Sequence, residues 1–106
     1  MNIITIGANA SRTTSGEGPI GAWLAEAGCG EAAACYNLGV AFSTGSNGAP
    51  CDLIEAHKWF NLAAARGHEE AAHCRADISE EMTAREIAEA QRRARQWLAE
   101  GSLRAA

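Results

Sequence analysis

Small residues at helical spacing dominate the middle of the chain. From Glu31 to Thr44, and again after Asp52, apolar residues follow one another at intervals of three and four positions. That period places them on one face of an α-helix. Many of these residues are alanine, so helices that pack through such faces approach one another closely. The pattern therefore predicts an all-α fold made of closely packed helices.

Capping and stop signals set the expected helix boundaries. Gly45 is placed to end one helix in a left-handed conformation, and Gly101 is expected to end the last helix. Asp52 and Thr83 each begin a capping-box sequence, in which a glutamate three positions later reaches back to the cap. Pro19 suits a first helical turn, where its missing N–H is not needed. The predicted helices cover residues 19–27, 31–44, 52–66, 69–78 and 83–100.

The chain also resembles itself. The residues around Gly30 align with those around Gly67 at a shift of 37 positions, and Trp23 falls on Phe60 under the same shift. A repeat of this length is typical of stacked helix pairs. The total of 106 residues fits one domain.

The segment from Ala34 to Gly67 resembles one full Sel1-like repeat, a relative of the tetratricopeptide repeat. The positions that match the family are small, aromatic or turn-forming: Ala34, Leu38, Gly39, Phe42, Gly45, Gly48, Pro50, Asp52, Ala56, Trp59, Phe60, Ala63, Ala64 and Gly67. The resemblance implies a short αα-solenoid of about two repeats with a C-terminal amphipathic capping helix, as in bacterial members. It divides the chain into a flexible leader, residues 1–18, and a repeat domain, residues 19–106. The domain comprises a partial repeat 19–29, a full repeat 30–67, a partial repeat 68–81 and a capping helix 83–100.

Glycines in this segment are expected to serve geometry rather than chemistry. Gly39 would let the partner helix approach, and Gly45 and Gly48 would permit turn dihedrals that other residues disfavour. Pro50 would stiffen the chain before the next helix. The rival interpretation, a phosphate-binding loop, lacks the lysine and hydroxyl residue that should follow the last glycine. Segment 45–52 is therefore predicted to be the elbow between two packed helices.

The resemblance implies a non-catalytic protein–protein interaction module, an adaptor or scaffold that binds a protein or peptide on its concave side. In this family the first helix of each pair builds most of that side. The candidate contact residues are Tyr36, Asn37, Ala41 and His73. Two alternatives stay open. One is a hydrolase acting on cell-wall-related ligands, and the other is a homodimerisation module joined through uncovered ends near Trp23 and Trp97.

The sequence predicts no metal site and no cofactor. The potential ligands lack the C-x-x-C or H-x-x-x-H spacing of common sites: Cys35, His57, His68, His73 and Cys74. The chain has four cysteines, and free thiols are expected because no secretory signal precedes them. Cys51 is predicted to be the most reactive, since it lies just before a helix N-terminus. A secreted, cysteine-rich branch of the Sel1-like family implies the alternative, in which Cys35 pairs with Cys29.

Charge and hydropathy narrow the partners further. The net charge is −4, so the chain has no overall basic character for nucleic acid. Arg92 and Arg93 follow Glu89 at helical spacing, which favours a solvated, paired surface. No apolar run approaches the roughly 18 residues of a membrane span. A cytoplasmic location is expected, or a periplasmic or secreted one if a native leader precedes this sequence.

Overall fold

The computed structural model describes residues 18–105, with side chains for residues 19–101, and this part of the chain is entirely helical. The five helices are α1 Gly18–Gly28, α2 Ala32–Thr44, α3 Leu53–Ala65, α4 Glu69–Ser79 and α5 Ala84–Ala105. The all-α prediction is confirmed for these residues. The predicted leader lies outside the described residues, except for Gly18.

The predicted caps at Asp52 and Thr83 form, but in different ways. Thr83 and Glu86 make a complete capping box. The Thr83 N–H donates to Glu86 Oε1 at 2.9 Å, and the Glu86 N–H donates to Thr83 Oγ1 at 3.1 Å. Asp52 Oδ1 accepts from the N–H groups of Ile54 and Glu55. The Asp52 N–H donates to the carbonyl of Phe42 rather than to Glu55, so this box is half formed.

The helix ends agree with the glycine signals at one place and depart from them at another. Gly45 follows α2 with φ 71°, and its N–H donates to the carbonyl of Ala41, as predicted. The prediction that α5 ends at Gly101 is wrong, because the helix continues to Ala105. Glycine costs a helix only about 1 kcal/mol relative to alanine. No proline follows to stop the helix.

Helix α3 is the centre of the fold. It packs against α2, α4 and α5, while α1 packs on α2 and α2 also touches α4. The buried cluster comes from all five helices: Ala27, Ala34, Cys35, Leu38, Ala56, Trp59, Phe60, Leu62, Ala63, Ala71 and Ala94. Six of these eleven residues are alanine. The predicted close packing of small residues is therefore the packing observed.

Gly39 lies where α2 and α3 come closest. A Cβ atom at this position would lie 2.5 Å from two ring carbons of Phe60, far inside van der Waals contact. The expectation that Gly39 permits helix approach is thus confirmed. Phe60 is 1% exposed, so its ring has little room to move aside.

Aromatic and charged contacts join α5 to α3. The rings of Trp59 and Trp97 meet edge to face, with 4.9 Å between their centroids. Lys58 Nζ lies 4.3 Å from the centroid of Trp59, at cation–π distance. Arg93 Nη1 is 2.7 Å from Glu55 Oε2, which links the two helices across 38 residues of sequence.

Arg92 and Arg93 of α5 are paired, as their spacing predicts. Arg92 and Arg93 both hydrogen-bond Glu89, and these bonds hold the pKa of that carboxyl at about 2. Glu89 is therefore charged throughout the physiological range. This surface of α5 is a network of ion pairs that involves both signs of charge.

Candidate partner-binding surface

The structure separates the four residues predicted to contact a partner. Tyr36 and Asn37 are half-buried on α2, and His73 is exposed on α4. Ala41 is fully buried, so its assignment to a contact surface is wrong. It lies seven residues after Ala34 and three after Leu38, on the helix face that packs into the core.

Tyr36 is held in place by two other rings. It stacks on His68, with 4.5 Å between the ring centroids and 13° between the planes. It also makes a tilted contact with Phe60, with centroids 5.8 Å apart. These partners belong to α3 and to the start of α4, so Tyr36 is fixed where three helices meet.

His68 has a second role that the sequence analysis missed. Its Nδ1 accepts a hydrogen bond of 3.1 Å from the N–H of Ala71, which makes it the N-cap of α4. The available signal was its position, between the turn glycine Gly67 and the first helical residue Glu69. Serine, threonine, aspartate and asparagine are the usual caps, so the sequence pointed to His68 only as a potential metal ligand.

Cys74 of α4 lies beside the Tyr36 hydroxyl. Burial raises the pKa of the Tyr36 phenol, and its contact with Cys74 and the charge of Glu70 act in the same direction. Burial also raises the pKa of the Cys74 thiol, followed by the charges of Glu70 and Asp77. Both groups therefore stay protonated near neutral pH, and the pair is a structural contact rather than a nucleophile.

These residues define one surface, named here the α2–α4 face: Tyr36, Asn37, Glu70, His73 and Asp77. On α4, Glu70, His73 and Asp77 are spaced by three and four residues, and all three are exposed. Glu70 acts electrostatically on both Cys74 and Tyr36, and Asp77 acts on Cys74, so both carboxylates are on the side of α4 that carries Cys74. The face therefore combines a fixed aromatic ring with carboxylates and one imidazole.

A scan against protein-family models, a search of curated proteins and a search of solved structures gave no match to this chain.

The histidines and cysteines do not converge on the α2–α4 face or elsewhere in the part of the chain that is described. No group of three or more histidine, cysteine, aspartate or glutamate side chains among residues 19–101 is arranged to hold a metal ion. His57 is buried in α3, His68 caps α4 and His73 is exposed. Each of the three imidazoles thus has a different environment.

Four backbone N–H groups of the elbow between α2 and α3 donate to carbonyls of the elbow or of α2. The N–H groups of Gly45 and Ser46 donate to Ala41, that of Ala49 donates to Ser46, and that of Asp52 donates to Phe42. A phosphate-binding loop needs such groups to point at the ligand. This geometry supports the prediction of a structural turn. Asn47, at φ 57°, shares the left-handed region with the glycines, which the sequence analysis did not anticipate.

All four cysteines are free thiols. Cys35 is fully buried, and burial raises the pKa of its thiol, so it behaves as a small core residue. Cys29 is exposed, in the turn after α1. Cys51 is exposed as predicted, and its thiol donates to the carbonyl of Ser43 over 3.6 Å.

No helix within residues 18–105 has both the length and the apolar character needed to cross a membrane.

Replacing His68 should show how much its two contacts contribute. His68→Ala removes both the cap and the ring stack, and we expect it to lower the free energy of unfolding by about 1–2 kcal/mol. His68→Asn keeps a capping oxygen and loses only the stack, so it should cost about half as much. Urea unfolding followed by circular dichroism measures both. Equal losses in the two variants would show that the cap contributes nothing.

Proposed function

We propose that this chain is a Sel1-like interaction module that binds a protein or peptide through the α2–α4 face. The observation that carries the proposal is Tyr36, an aromatic ring that is partly exposed yet held rigidly by His68 and Phe60. A pre-ordered aromatic side chain loses little conformational entropy on binding. Such residues supply much of the affinity at protein interfaces.

The order of helix contacts supports a solenoid arrangement. In stacked helix pairs, first helices contact first helices and second helices contact second helices. Here α2 touches α4, and α3 packs on α5. The pairs α2–α3 and α4–α5 would then be two successive units, with α1 as the remnant of a preceding one. The second unit is irregular in one respect. Its two helices, α4 and α5, pack mainly on α3 and not on each other.

The repeat signature supports the same proposal through its geometry. Gly39 meets the Phe60 ring, and Gly45 and Gly48 adopt positive φ in the elbow. Ala56 and Ala63 are fully buried on α3. These are the places where the family pattern calls for small or turn-forming residues.

The test is capture of partners from the source cell, with the purified chain as bait and mass spectrometry as the readout. The double variant Tyr36→Ala/His73→Ala should reduce capture of the specific partner at least tenfold, as loss of an interface hot spot does. Arg85→Ala/Arg95→Ala is a matched control, since both residues are exposed on α5. If the double variant captures the partner as well as the parent chain does and has a native circular dichroism spectrum, this face is excluded as the binding surface.

A self-association module is the second candidate, because two large apolar side chains are exposed. Leu24 on α1 is 40% exposed and Leu98 on α5 is 43% exposed. Helices α1 and α5 are the first and the last of the described helices. Light scattering over a range of concentrations separates a monomeric binder from a dimer, and Leu24→Glu and Leu98→Glu should abolish association through either end.

The hydrolase alternative requires a nucleophile hydrogen-bonded to a base. The exposed thiol of Cys51 donates instead to a backbone carbonyl, that of Ser43. The free thiols favour a reducing compartment such as the cytoplasm. The interaction module is therefore the better supported proposal.

A further inference from the structure

His57 of α3 is a polar side chain in an apolar environment. It is 3% exposed, and its Nδ1 has no hydrogen-bond partner among the described residues. A neutral imidazole tolerates such a position at moderate cost, because it carries no net charge. A charged imidazolium in the same place would be far more costly, since it would be buried without a counter-ion.

The side of His57 that faces α4 already holds a positive charge. Arg75 of α4 donates a hydrogen bond of 2.6 Å to Asn61 Oδ1, and Asn61 lies one turn after His57 on α3. Burial lowers the pKa of His57, and the charge of Arg75 lowers it further. The carbonyl of His57 itself acts in the opposite direction.

The other helices packed on α3 bring no counter-charge to His57. The titratable side chains of α2 are Cys35 and Tyr36, both of which stay neutral near neutral pH. From α5, Arg93 is paired with Glu55 and Glu89. Arg75 is the charged group whose effect on His57 is resolved within the described residues.

We propose that His57 is an acid-sensitive release point between α3 and α4. A proton taken from solvent by the imidazole would place two cations, His57 and Arg75, on the same contact between α3 and α4. Opening of the contact relieves the repulsion between the two cations. Helix α4 then separates from α3, while α2 and α5 remain packed on α3. Because α4 carries three of the five residues of the α2–α4 face, acid would disperse that face. The proposal itself does not depend on what the face binds.

The direction of the effect follows from proton linkage. The pKa of His57 is lower in the closed state than its ordinary value of 6.5. Above 6.5 neither state binds the proton, and the closed state has its full stability. As pH falls below 6.5 the open state takes up a proton that the closed state cannot. The opening equilibrium should therefore rise by up to about tenfold per pH unit, the limit for one proton.

Hydrogen exchange of the full chain, read by mass spectrometry at pH 7.5 and pH 5.5, tests the proposal. Protection factors in α4 should fall by about tenfold, while those in α5 should stay within about twofold. The His68→Asn background is used throughout, so that the N-cap of α4 is an amide in every variant compared. His57→Leu should remove the pH dependence, and His73→Gln, which alters an exposed histidine of α4, should preserve it.

Two results would overturn the proposal. One is a loss of α4 protection between pH 7.5 and pH 5.5 that is as large in the His57→Leu variant as in the chain that retains His57. The other is the absence of any such loss in the chain that retains His57. If His57→Leu fails to fold, Arg75→Gln replaces it, since this variant retains His57 and removes the neighbouring charge. Without the Arg75 charge the closed state takes up the proton more readily, so Arg75→Gln should make the loss of α4 protection between pH 7.5 and pH 5.5 smaller. An undiminished loss would also reject the proposal.

Discussion

Trp59→Ala should cost about 3–5 kcal/mol of unfolding free energy, the usual range for removing a buried large aromatic side chain. A domain of this size has a total stability of about 5–15 kcal/mol, so the variant should be close to unfolding at 37 °C. Trp59 is 1% exposed on the central helix, and its ring carries the contact with Trp97. The loss should therefore weaken the packing of α5 as well as the core.

Trp59→Phe is the matched control for this prediction. It keeps an aromatic ring against Trp97 and removes the indole N–H of Trp59, which is buried without a hydrogen-bond partner among the described residues. We expect it to cost less than half as much as alanine. Urea unfolding followed by circular dichroism avoids reliance on tryptophan fluorescence. A loss below about 1 kcal/mol for Trp59→Ala would mean that the helices do not pack as described.

Gly39→Ala is expected to destabilise the protein even though alanine is the better helix former. Alanine should gain about 1 kcal/mol from helix propensity. The added methyl group would lie 2.5 Å from the buried ring of Phe60, so α2 and α3 must move apart. Overpacking of this kind usually costs about 1–3 kcal/mol. With a ring carbon at 2.5 Å, we expect this cost to be larger than the gain in helix propensity. We expect a net loss of about 1–2 kcal/mol, measured by urea unfolding.

Gly101→Ala provides the opposite case in the same protein. Gly101 lies inside α5, and a Cβ there would meet no other atom within 4 Å. This variant should gain up to about 1 kcal/mol, because only the propensity term applies. Phe60→Leu combined with Gly39→Ala should lose less than the sum of the two single changes, since the ring that clashes is gone. Additive losses would show that Phe60 is not the obstacle.

Local signals predicted most helix boundaries in this chain. The capping box at Thr83, the cap at Asp52 and the left-handed Gly45 depend on residues within a few positions of one another. The helical spacing of alanine predicted the core of α2 and α3 for the same reason. The glycine at position 101 gave a wrong boundary, because a glycine ends a helix only where the following chain turns away.

Contacts between distant parts of the sequence were not predictable from local pattern. Arg93 reaches Glu55 across 38 residues, and His68 stacks on Tyr36 as well as capping α4. The burial of Ala41 is different, since its spacing from Ala34 and Leu38 already places it on the core face of α2. Of the candidate surface, Tyr36 and His73 were predicted from the sequence. The two rings that hold Tyr36 in place were not.

The position of α5 has a consequence for how long such a molecule can become. Arg93 and Trp97 of α5 contact Glu55 and Trp59 of α3. In the stacking of helix pairs proposed above, a further pair would use the same side of α3. Any extension inserted after Ser79 must first displace these two anchors. Under the proposed stacking of helix pairs, α5 would act as a terminator, and a longer array would need both anchors on its last pair.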